Sequence, residues 1–169
     1  PTVESIERPV RVSATFDDEG LIGTLDIPGV TRPSDGVIVL ERGFASVAFD
    51  EGKGFRVNAV ERLADGQFIA SDVLSDKQRR RQNFLRELFL ENGDWEVASP
   101  ILFFWDDVRP VSVEIPGVEN HVGAAFYSVP LPLLTPSPGT AVKIPQSLLS
   151  IRSGSDAAGK LASSVYSWR

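Results

Sequence analysis

The sequence predicts a mostly β fold, a β-sandwich of immunoglobulin-like character with one inserted amphipathic α-helix over residues 75–92. Two observations lead to this prediction. Apolar and polar residues alternate in several short segments separated by Gly- and Pro-rich turns, which is typical of strands with one buried face. One segment instead repeats its apolar residues every three or four positions, as a helix does. A helix lying across a β-barrel is the alternative architecture.

The first third of the chain predicts five strands. Residues 10–16 and 21–27 alternate on either side of an acidic turn, so they predict an antiparallel hairpin. Residues 37–40 are apolar throughout, which favours a strand that is buried on both faces. Residues 44–49 and 55–59 are separated by a second acidic turn and predict two further strands.

The helix has a recognisable beginning and end in the sequence. Ser75, followed three residues later by Gln78, fits a capping box, in which each side chain binds a backbone N–H group of the other residue. Gly93 is the expected end, because glycine readily takes the left-handed conformation that closes a helix. The apolar face of the helix consists of residues at helical spacing, which are Phe84, Leu85, Leu88 and Phe89.

The second half of the chain continues with strands. Residues 101–105 are the most hydrophobic stretch and predict a central strand. Residues 123–134 contain two prolines, which cannot donate to a strand ladder, so they predict an edge strand or a crossover. Shorter strands are predicted at residues 111–115, 141–144 and 148–151.

We expect one domain over residues 1–152, followed by a C-terminal linker over residues 153–169. The 169 residues are 42% hydrophobic, which is enough to bury a core without cross-links. After Arg152 small and polar residues dominate, as in flexible linkers. The predicted core includes Val12, Leu25, Val39, Phe49, Leu85, Leu88, Leu102, Phe104, Val113, Phe126 and Val129.

Composition excludes several classes of function. The net charge of −6 argues against nucleic acid or an anionic membrane surface as a partner, because both attract basic faces. The absence of Cys excludes disulfides and thiolate chemistry. No apolar run approaches the roughly 20 residues of a membrane-spanning helix, so direct membrane insertion is not expected. Since residue 1 is Pro rather than Met, we expect a processed form or a piece of a longer protein.

Three consecutive arginines near the start of the helix are the first candidate site. Arg79, Arg80 and Arg81 oppose the positive end of the helix dipole, so some compensation is expected. Successive helical residues point about 100° apart, so the three cannot share one partner. Either they bind an anion or an acidic partner, or they pair with nearby acids, of which the candidates are Asp72, Asp76, Asp106 and Asp107.

A pair of carboxylates at the end of a strand is the second candidate site. Asp106 and Asp107 follow Trp105, an arrangement seen in sugar-binding sites and hydrolases. Adjacent strand residues point to opposite faces, so only one of the two acids can face a given cleft. Acid–base catalysis on a glycoside would need a second converging carboxylate, for which Glu114 is the candidate. A structural or solvated role is the preferred interpretation.

Trp95 and His121 complete the candidates. Trp95 lies just after the expected helix end and could stack on a sugar or a partner, with core packing as the preferred alternative. His121 is the only histidine and is expected to be an exposed loop residue. One histidine and no cysteine cannot supply the several ligands of a zinc or copper site. We predict no metal, no cofactor and no catalytic residue.

Four segments resemble a pattern found in large bacterial envelope proteins that are common in planctomycete-like bacteria. In those proteins an Arg-rich helix, here residues 75–88, precedes a Leu-Phe-Trp-Asp strand, here residues 100–107. A Val-Pro-Leu strand follows, here residues 128–131, and residues 20–25 fit the opening strand. The resemblance covers residues 20–151 and implies no known activity or site residue. It implies an extracytoplasmic location and a noncatalytic role.

Three functions follow as hypotheses. The first is a noncatalytic extracytoplasmic interaction or spacer module of a larger bacterial envelope protein, with other envelope proteins as partners. The second is a carbohydrate-binding module with a glycan partner, based on Trp95 or Trp105 beside acids. The third is a glycoside hydrolase-like enzyme that uses Asp106 and Glu114.

Overall fold

A computed structural model describes residues 10–40, 43–58, 63, 66–91, 99–108 and 124–145. This part of the chain contains seven β-strands and one α-helix that continues into a π-helical turn. The elements in chain order are β1 (Arg11–Phe16), β2 (Gly20–Asp26), β3 (Pro33–Leu40), β4 (Gly43–Phe49), β5 (Gly54–Asn58), α1 (Asp76–Arg86), the π-helical turn Glu87–Glu91, β6 (Ile101–Asp106) and β7 (Ala125–Pro130).

The strands form one curled antiparallel sheet in the order β1-β2-β5-β4-β3-β6-β7. The segment after β7 returns to β1 and makes a parallel bridge between Leu133 and Ala14. The Ala14 N–H donates to the carbonyl oxygen of Pro132 at 3.0 Å, and the Leu134 N–H donates to the carbonyl oxygen of Ala14 at 2.7 Å. The chain leaving one edge strand of the sheet is therefore joined to the strand at the other edge.

The concave side of the sheet holds an apolar core, which we call the inner core. Alternate residues of each strand point into it, as period-2 patterning requires. Gly23 lies against the ring of Phe55, and a Cβ at position 23 would overlap that ring, so glycine makes room for a large buried side chain. The buried members are Ala14, Leu21, Leu25, Ile27, Ile38, Ala45, Val47, Phe55, Val57, Leu102, Phe104 and Leu131.

The convex side of β3 and β6 is covered by α1 and forms a second cluster, the outer core. Because both strands contribute alternate residues to the two cores, they are buried on both faces, as the apolar run at residues 37–40 predicts for β3. Ring contacts dominate this layer; Phe44 and Phe68, for example, meet edge to face at 4.9 Å between ring centroids. The buried members are Val37, Val39, Phe68, Ile69, Leu85, Phe89, Phe103 and Trp105.

The capping box predicted for the helix is present. The Gln78 N–H donates to Ser75 Oγ at 3.2 Å, and the Ser75 N–H donates to Gln78 Oε1 at 3.1 Å. The α-helix itself ends at Arg86, and the π-helical turn extends the helical segment to Glu91. The expected end at Gly93 lies outside the described residues. Within the described ranges, no helix is both long enough and apolar enough to cross a membrane.

Over the described residues the structure confirms a mostly β fold with one helix, but a sandwich of immunoglobulin-like character is not confirmed. β4 pairs with both β3 and β5, so the strands join into one continuous curled sheet. The strand predicted at residues 141–144 is absent; this segment is held to the turn after β1 by a hydrogen bond from the Lys143 N–H to the carbonyl oxygen of Asp17 at 2.7 Å. The strands predicted at residues 111–115 and 148–151 and the linker at 153–169 lie outside the described residues.

The predicted core residues divide into two groups. One group is buried: Leu25, Val39, Leu85, Leu102 and Phe104. A second group is partly buried and packs against the two cores: Val12, Phe49, Leu88, Phe126 and Val129. Val113 lies outside the described residues.

Candidate functional site

Arg81 is the centre of a polar cluster between α1 and the sheet. It is only 6% exposed. One of its Nη atoms donates to Asp35 Oδ2 and to Ser34 Oγ, the latter at 3.0 Å. The other donates to Asp107 Oδ1 at 2.6 Å. We call Arg81, Ser34, Asp35 and Asp107 the Arg81 cluster; it joins the helix to β3 and to the end of β6.

Two further helix residues extend this cluster. Lys77 Nζ donates to Asp107 Oδ2, and Gln78 Nε2 donates to Asp35 Oδ1 at 3.0 Å. The guanidinium carbon of Arg81 lies 5.0 Å from the ring centroid of Trp105, within the range of a cation–π contact. Two cations and two carboxylates therefore meet, and the guanidinium is hydrogen-bonded through both Nη atoms and lies against the Trp105 ring.

The electrostatics of Asp107 follow from this arrangement. Partial burial alone would raise the pKa of the Asp107 carboxyl, but hydrogen bonds from Lys77 and Arg81 and their positive charges outweigh it. The pKa of Asp107 therefore lies below its ordinary value of 3.8. The carboxylate is held in its charged form at neutral pH, where it pairs with both cations.

Asp35 reaches Arg81 because of an irregularity in β3. The register between β3 and β6 shifts between Ser34 and Val37, which marks a bulge. Asp35 has φ 49°, a left-handed conformation that costs a non-glycine residue of order 1 kcal/mol. Bulges re-aim side chains, and here the Asp35 carboxylate faces the helix. Contacts with Arg81 and Gln78 offset the strain.

Asp106 points away from Asp107, as the alternation of side chains along a strand requires. Its two carboxylate oxygens accept the N–H groups of Thr31 at 2.8 Å, Arg32 at 3.2 Å and Val108 at 2.9 Å. Asp106 is 0% exposed. It fixes the segment before β3 against the end of β6. Burial raises the pKa of Tyr127 on the neighbouring strand, and the negative charge of Asp106 adds a smaller rise.

The three arginines diverge, as the helical geometry predicts. Arg79 is 66% exposed; its Nε donates to the carbonyl oxygen of Leu74 at 3.2 Å, and its Nη2 lies 3.7 Å from Asp76 Oδ1. Arg80 is also exposed and bonds the carbonyl oxygen of Asp76. Arg81 alone turns inwards. The arginines therefore do not form one site.

The acids named as partners for these arginines have different roles. Pairs form between Arg79 and Asp76 and between Arg81 and Asp107. Within the described residues Asp106 meets backbone N–H groups instead of an arginine. Asp35 was missed because its contact spans 46 residues and depends on a bulge that the sequence does not mark.

Gln82 is a second polar residue that sequence reasoning missed. It is buried, and its Oε1 accepts the N–H groups of Phe68 at 3.0 Å and Ile69 at 3.1 Å. Its Nε2 donates to the carbonyl oxygen of Gly66. Gln82 thus supplies hydrogen bonds to an irregular segment that packs beneath the helix. The sequence gives no signal of this role, because Gln82 lies in a run of polar residues.

The aromatic candidates are placed as follows. Trp105 is 7% exposed and is covered by Arg81, by Phe84 at 6.0 Å and by Phe126 at 4.6 Å between ring centroids. Its ring therefore offers no face on which a sugar could stack. Trp95, His121 and Glu114 lie outside the described residues, so their proposed roles stay predictions.

Within the parts of the chain that the structure describes, no group of three or more His, Cys, Asp or Glu residues could hold a metal ion. In the same parts, every buried side-chain nitrogen or oxygen atom has a hydrogen-bond partner. The contacts of Lys77 and Arg81 with Asp35 and Asp107 fix the helix on the sheet. No family model, curated protein or solved structure matches this chain, so the resemblance to envelope proteins stays a prediction.

Proposed function

We propose that this chain is a noncatalytic interaction module of a larger bacterial envelope protein, located outside the cytoplasm. The observation that supports this best is that the arginines of α1 differ in their contacts and exposure. Arg81 is committed to the contacts that hold the helix, whereas Arg79 and Arg80 stay at the surface. A fixed helix that displays exposed cations suits recognition of a partner.

The positions of the acids also support a noncatalytic role. A general acid or base must come within hydrogen-bond reach of its substrate. Asp106 is fully buried and accepts three backbone N–H groups. Asp107 is paired with Lys77 and Arg81, which favours its charged form and removes its readiness to donate a proton.

The extracytoplasmic location rests on the resemblance of residues 75–88 and 100–107 to segments of bacterial envelope proteins. The partner in this proposal is another envelope protein. It is expected to contact the exposed side of α1, because this is where the helix keeps charged side chains that its own packing does not use.

Site-specific photo-crosslinking in the bacterial cells that make the protein tests the proposal. A photoreactive phenylalanine analogue replaces Asn83, an exposed residue of α1, and a matched chain carries it at Arg11, an exposed residue at the start of β1. We expect position 83 to yield a discrete adduct with one envelope protein and position 11 to yield none. Absence of an adduct at position 83, or the same adduct at both positions, would contradict an interaction module.

A further inference from the structure

The segment that follows β7 lies along the edge of β1, and we call its residues 132–144 the strap. The strap runs between two buried residues, Leu131 and Pro145, and nearly all of its own residues are exposed. A segment with few buried apolar contacts and with exposed hydrogen bonds opens before the rest of a fold does. We therefore expect the strap to open while the seven-stranded sheet stays folded.

The hydrogen bonds between the strap and β1 centre on Ala14. The Ala14 N–H donates to the carbonyl oxygen of Pro132, and the Ala14 carbonyl oxygen accepts the N–H of Leu134. The Thr15 hydroxyl adds a hydrogen bond to the carbonyl oxygen of Leu134 at 3.1 Å. The strap is therefore bonded to β1 over a stretch of one or two residues.

Two prolines keep this pairing short. The backbone groups of successive strand residues face opposite edges, so Val12 and Phe16 present their carbonyl oxygens on the same edge as Ala14. If the parallel register continued, these two oxygens would accept the N–H groups of residues 132 and 136. Both residues are proline and have no N–H to donate. The strap is thus a poor partner strand for this edge.

We propose that the edge of β1 is a binding site for an extended, proline-free segment of a partner protein, and that the strap is its weak internal occupant. The proposal goes beyond the proposed function, because it concerns β1 and not α1. Main-chain hydrogen bonds supply the affinity when a segment is added to a sheet edge. A segment without proline can donate to Phe16, which the strap cannot. A second copy of this chain brings the same prolines, so a foreign segment is favoured.

The position of Leu131 determines where the incoming segment begins to pair. Leu131 is 2% exposed, and its N–H donates to the carbonyl oxygen of Pro100 at 2.9 Å, so it stays in place when the strap opens. The register places Leu131 opposite Val12, which leaves the edge free from Ala14 onwards. Arg11 lies three residues before Ala14, about 10 Å along the strand, and stays outside the contact.

The chemistry of the incoming side chains follows from the same edge. Phe16 is partly buried and packs against the inner core. An apolar side chain beside it would extend that core, and alternate residues of the segment would face it. The partner segment is therefore extended, apolar at alternate positions and free of proline.

Hydrogen exchange tests whether the strap opens. The Ala14 N–H bonds the strap, whereas the N–H groups of Ser13 and Thr15 on the same strand face β2. We expect the amides of Ala14, Leu134 and Lys143 to exchange together, about a hundredfold faster than those of Ser13 and Thr15.

A matched pair of substitutions assigns this exchange to the strap. Thr15→Val removes one hydrogen bond to the strap and should speed exchange at Ala14 and Leu134 about fivefold. Thr24→Val makes the same change at an exposed threonine of β2 whose hydroxyl lies 3.4 Å from that of Ser13. It should leave exchange at Ala14 and Leu134 unchanged.

Fluorescence anisotropy with two labelled peptides tests the binding site. One peptide has the sequence of residues 131–137, Leu-Pro-Leu-Leu-Thr-Pro-Ser, and the other has valine in place of both prolines. We expect the valine peptide to bind about tenfold more tightly, because it can donate a further hydrogen bond to Phe16. An excess of it should speed exchange at Leu134 and Lys143 and slow exchange at Ala14.

Three outcomes would overturn the inference: exchange at Ala14 as slow as at Thr15, equal or absent binding of the two peptides, or binding that leaves the strap amides unchanged. The prolines would then act only as a cover that keeps other strands off the edge. The proposed function is tested separately. An adduct at position 83 together with silent peptides removes the β1 site alone, whereas a missing adduct removes the interaction through α1.

Discussion

The two cores of this protein are built on different principles. The inner core is enclosed by the curled sheet and consists mainly of apolar side chains, with the buried Asp106 carboxylate on the same side of β6 as Leu102 and Phe104. The outer core lies between α1 and the sheet and combines aromatic rings with two buried polar residues, Arg81 and Gln82. Both layers share the strands β3 and β6, so each strand has one face in each environment.

The difference between the two cores indicates how the helix is positioned. Hydrophobic contacts are largely non-directional, so rings alone would allow a helix to slide or rotate on a sheet. The adjacent residues Arg81 and Gln82 add directional hydrogen bonds in two directions, Arg81 to Asp35 and Asp107 and Gln82 to the backbone of Phe68 and Ile69. The inner core should therefore determine whether the chain folds, and the polar contacts of the outer layer should determine where the helix sits.

The largest expected effect comes from the inner core. Phe104 is fully buried and stacks on Tyr127 at 4.9 Å between ring centroids. Phe104→Ala should lower the free energy of unfolding by about 3–5 kcal/mol, because it removes a ring and leaves a cavity. Urea denaturation followed by circular dichroism measures this. A loss below about 1 kcal/mol would show that the inner core is not the main source of stability.

Arg81→Leu should destabilise the fold somewhat less, by about 3 kcal/mol. The substitution leaves the carboxylates of Asp35 and Asp107 without their shared cation. Hydrogen exchange should show α1 losing protection before the inner strands do. Arg81→Lys is the control, since it keeps the charge but not the two-armed geometry, and it should lose only part of this stability. Uniform loss of protection would contradict a role in holding the helix.

Gln82→Leu should cost about 1–3 kcal/mol, because the buried N–H groups of Phe68 and Ile69 would lose their acceptor. The change should increase hydrogen exchange first at these two amides. Gln82→Glu keeps an acceptor oxygen for both N–H groups and should protect these two amides better than Gln82→Leu, although it removes the donor to the Gly66 carbonyl oxygen. If both variants exchange like the parent chain at Phe68 and Ile69, the assigned role of Gln82 is wrong.

The smallest effect is a pH dependence carried by Asp107. Its folded pKa is lowered below 3.8, so its stabilising contribution is complete above that value and disappears as the pH falls through the folded pKa. Below pH 3.8 the parent chain should therefore lose more stability than Asp107→Asn, as measured by urea midpoints across the acid range. Asp17, whose pKa is also lowered, is common to both chains and cancels in this difference. Parallel curves would contradict the pairing of Asp107.

Much of the local structure could be predicted from the sequence. Alternation of apolar residues located β1, β2 and β5, and unbroken apolar runs marked β3 as a strand with two buried faces and β6 as a central strand. The pairing of Ser75 with Gln78 located the start of the helix. These features depend on neighbours within a few residues, which is the range over which patterns and caps act.

The candidate site could be predicted only in part, because its contacts join distant segments. Adjacent residues on a strand face opposite ways, so the divergence of Asp106 and Asp107 was foreseeable. The meeting of Asp35 with Arg81 was not, since it depends on the order of the strands and on a bulge in β3. For residues 141–144 the sequence predicted a strand that the structure does not contain, because so short an apolar pattern is not enough to establish one.

The parallel seam between β1 and the returning segment has a mechanical consequence. Tension applied before β1 and after that segment would pull β1 and the parallel segment at opposite ends, so that they slide past each other. In this shear geometry the hydrogen bonds from Ala14 to Pro132 and from Leu134 to Ala14 are loaded together and not one after the other. Tension that enters on the two sides of this seam is therefore resisted by both hydrogen bonds at once, before it reaches the hairpins behind the seam.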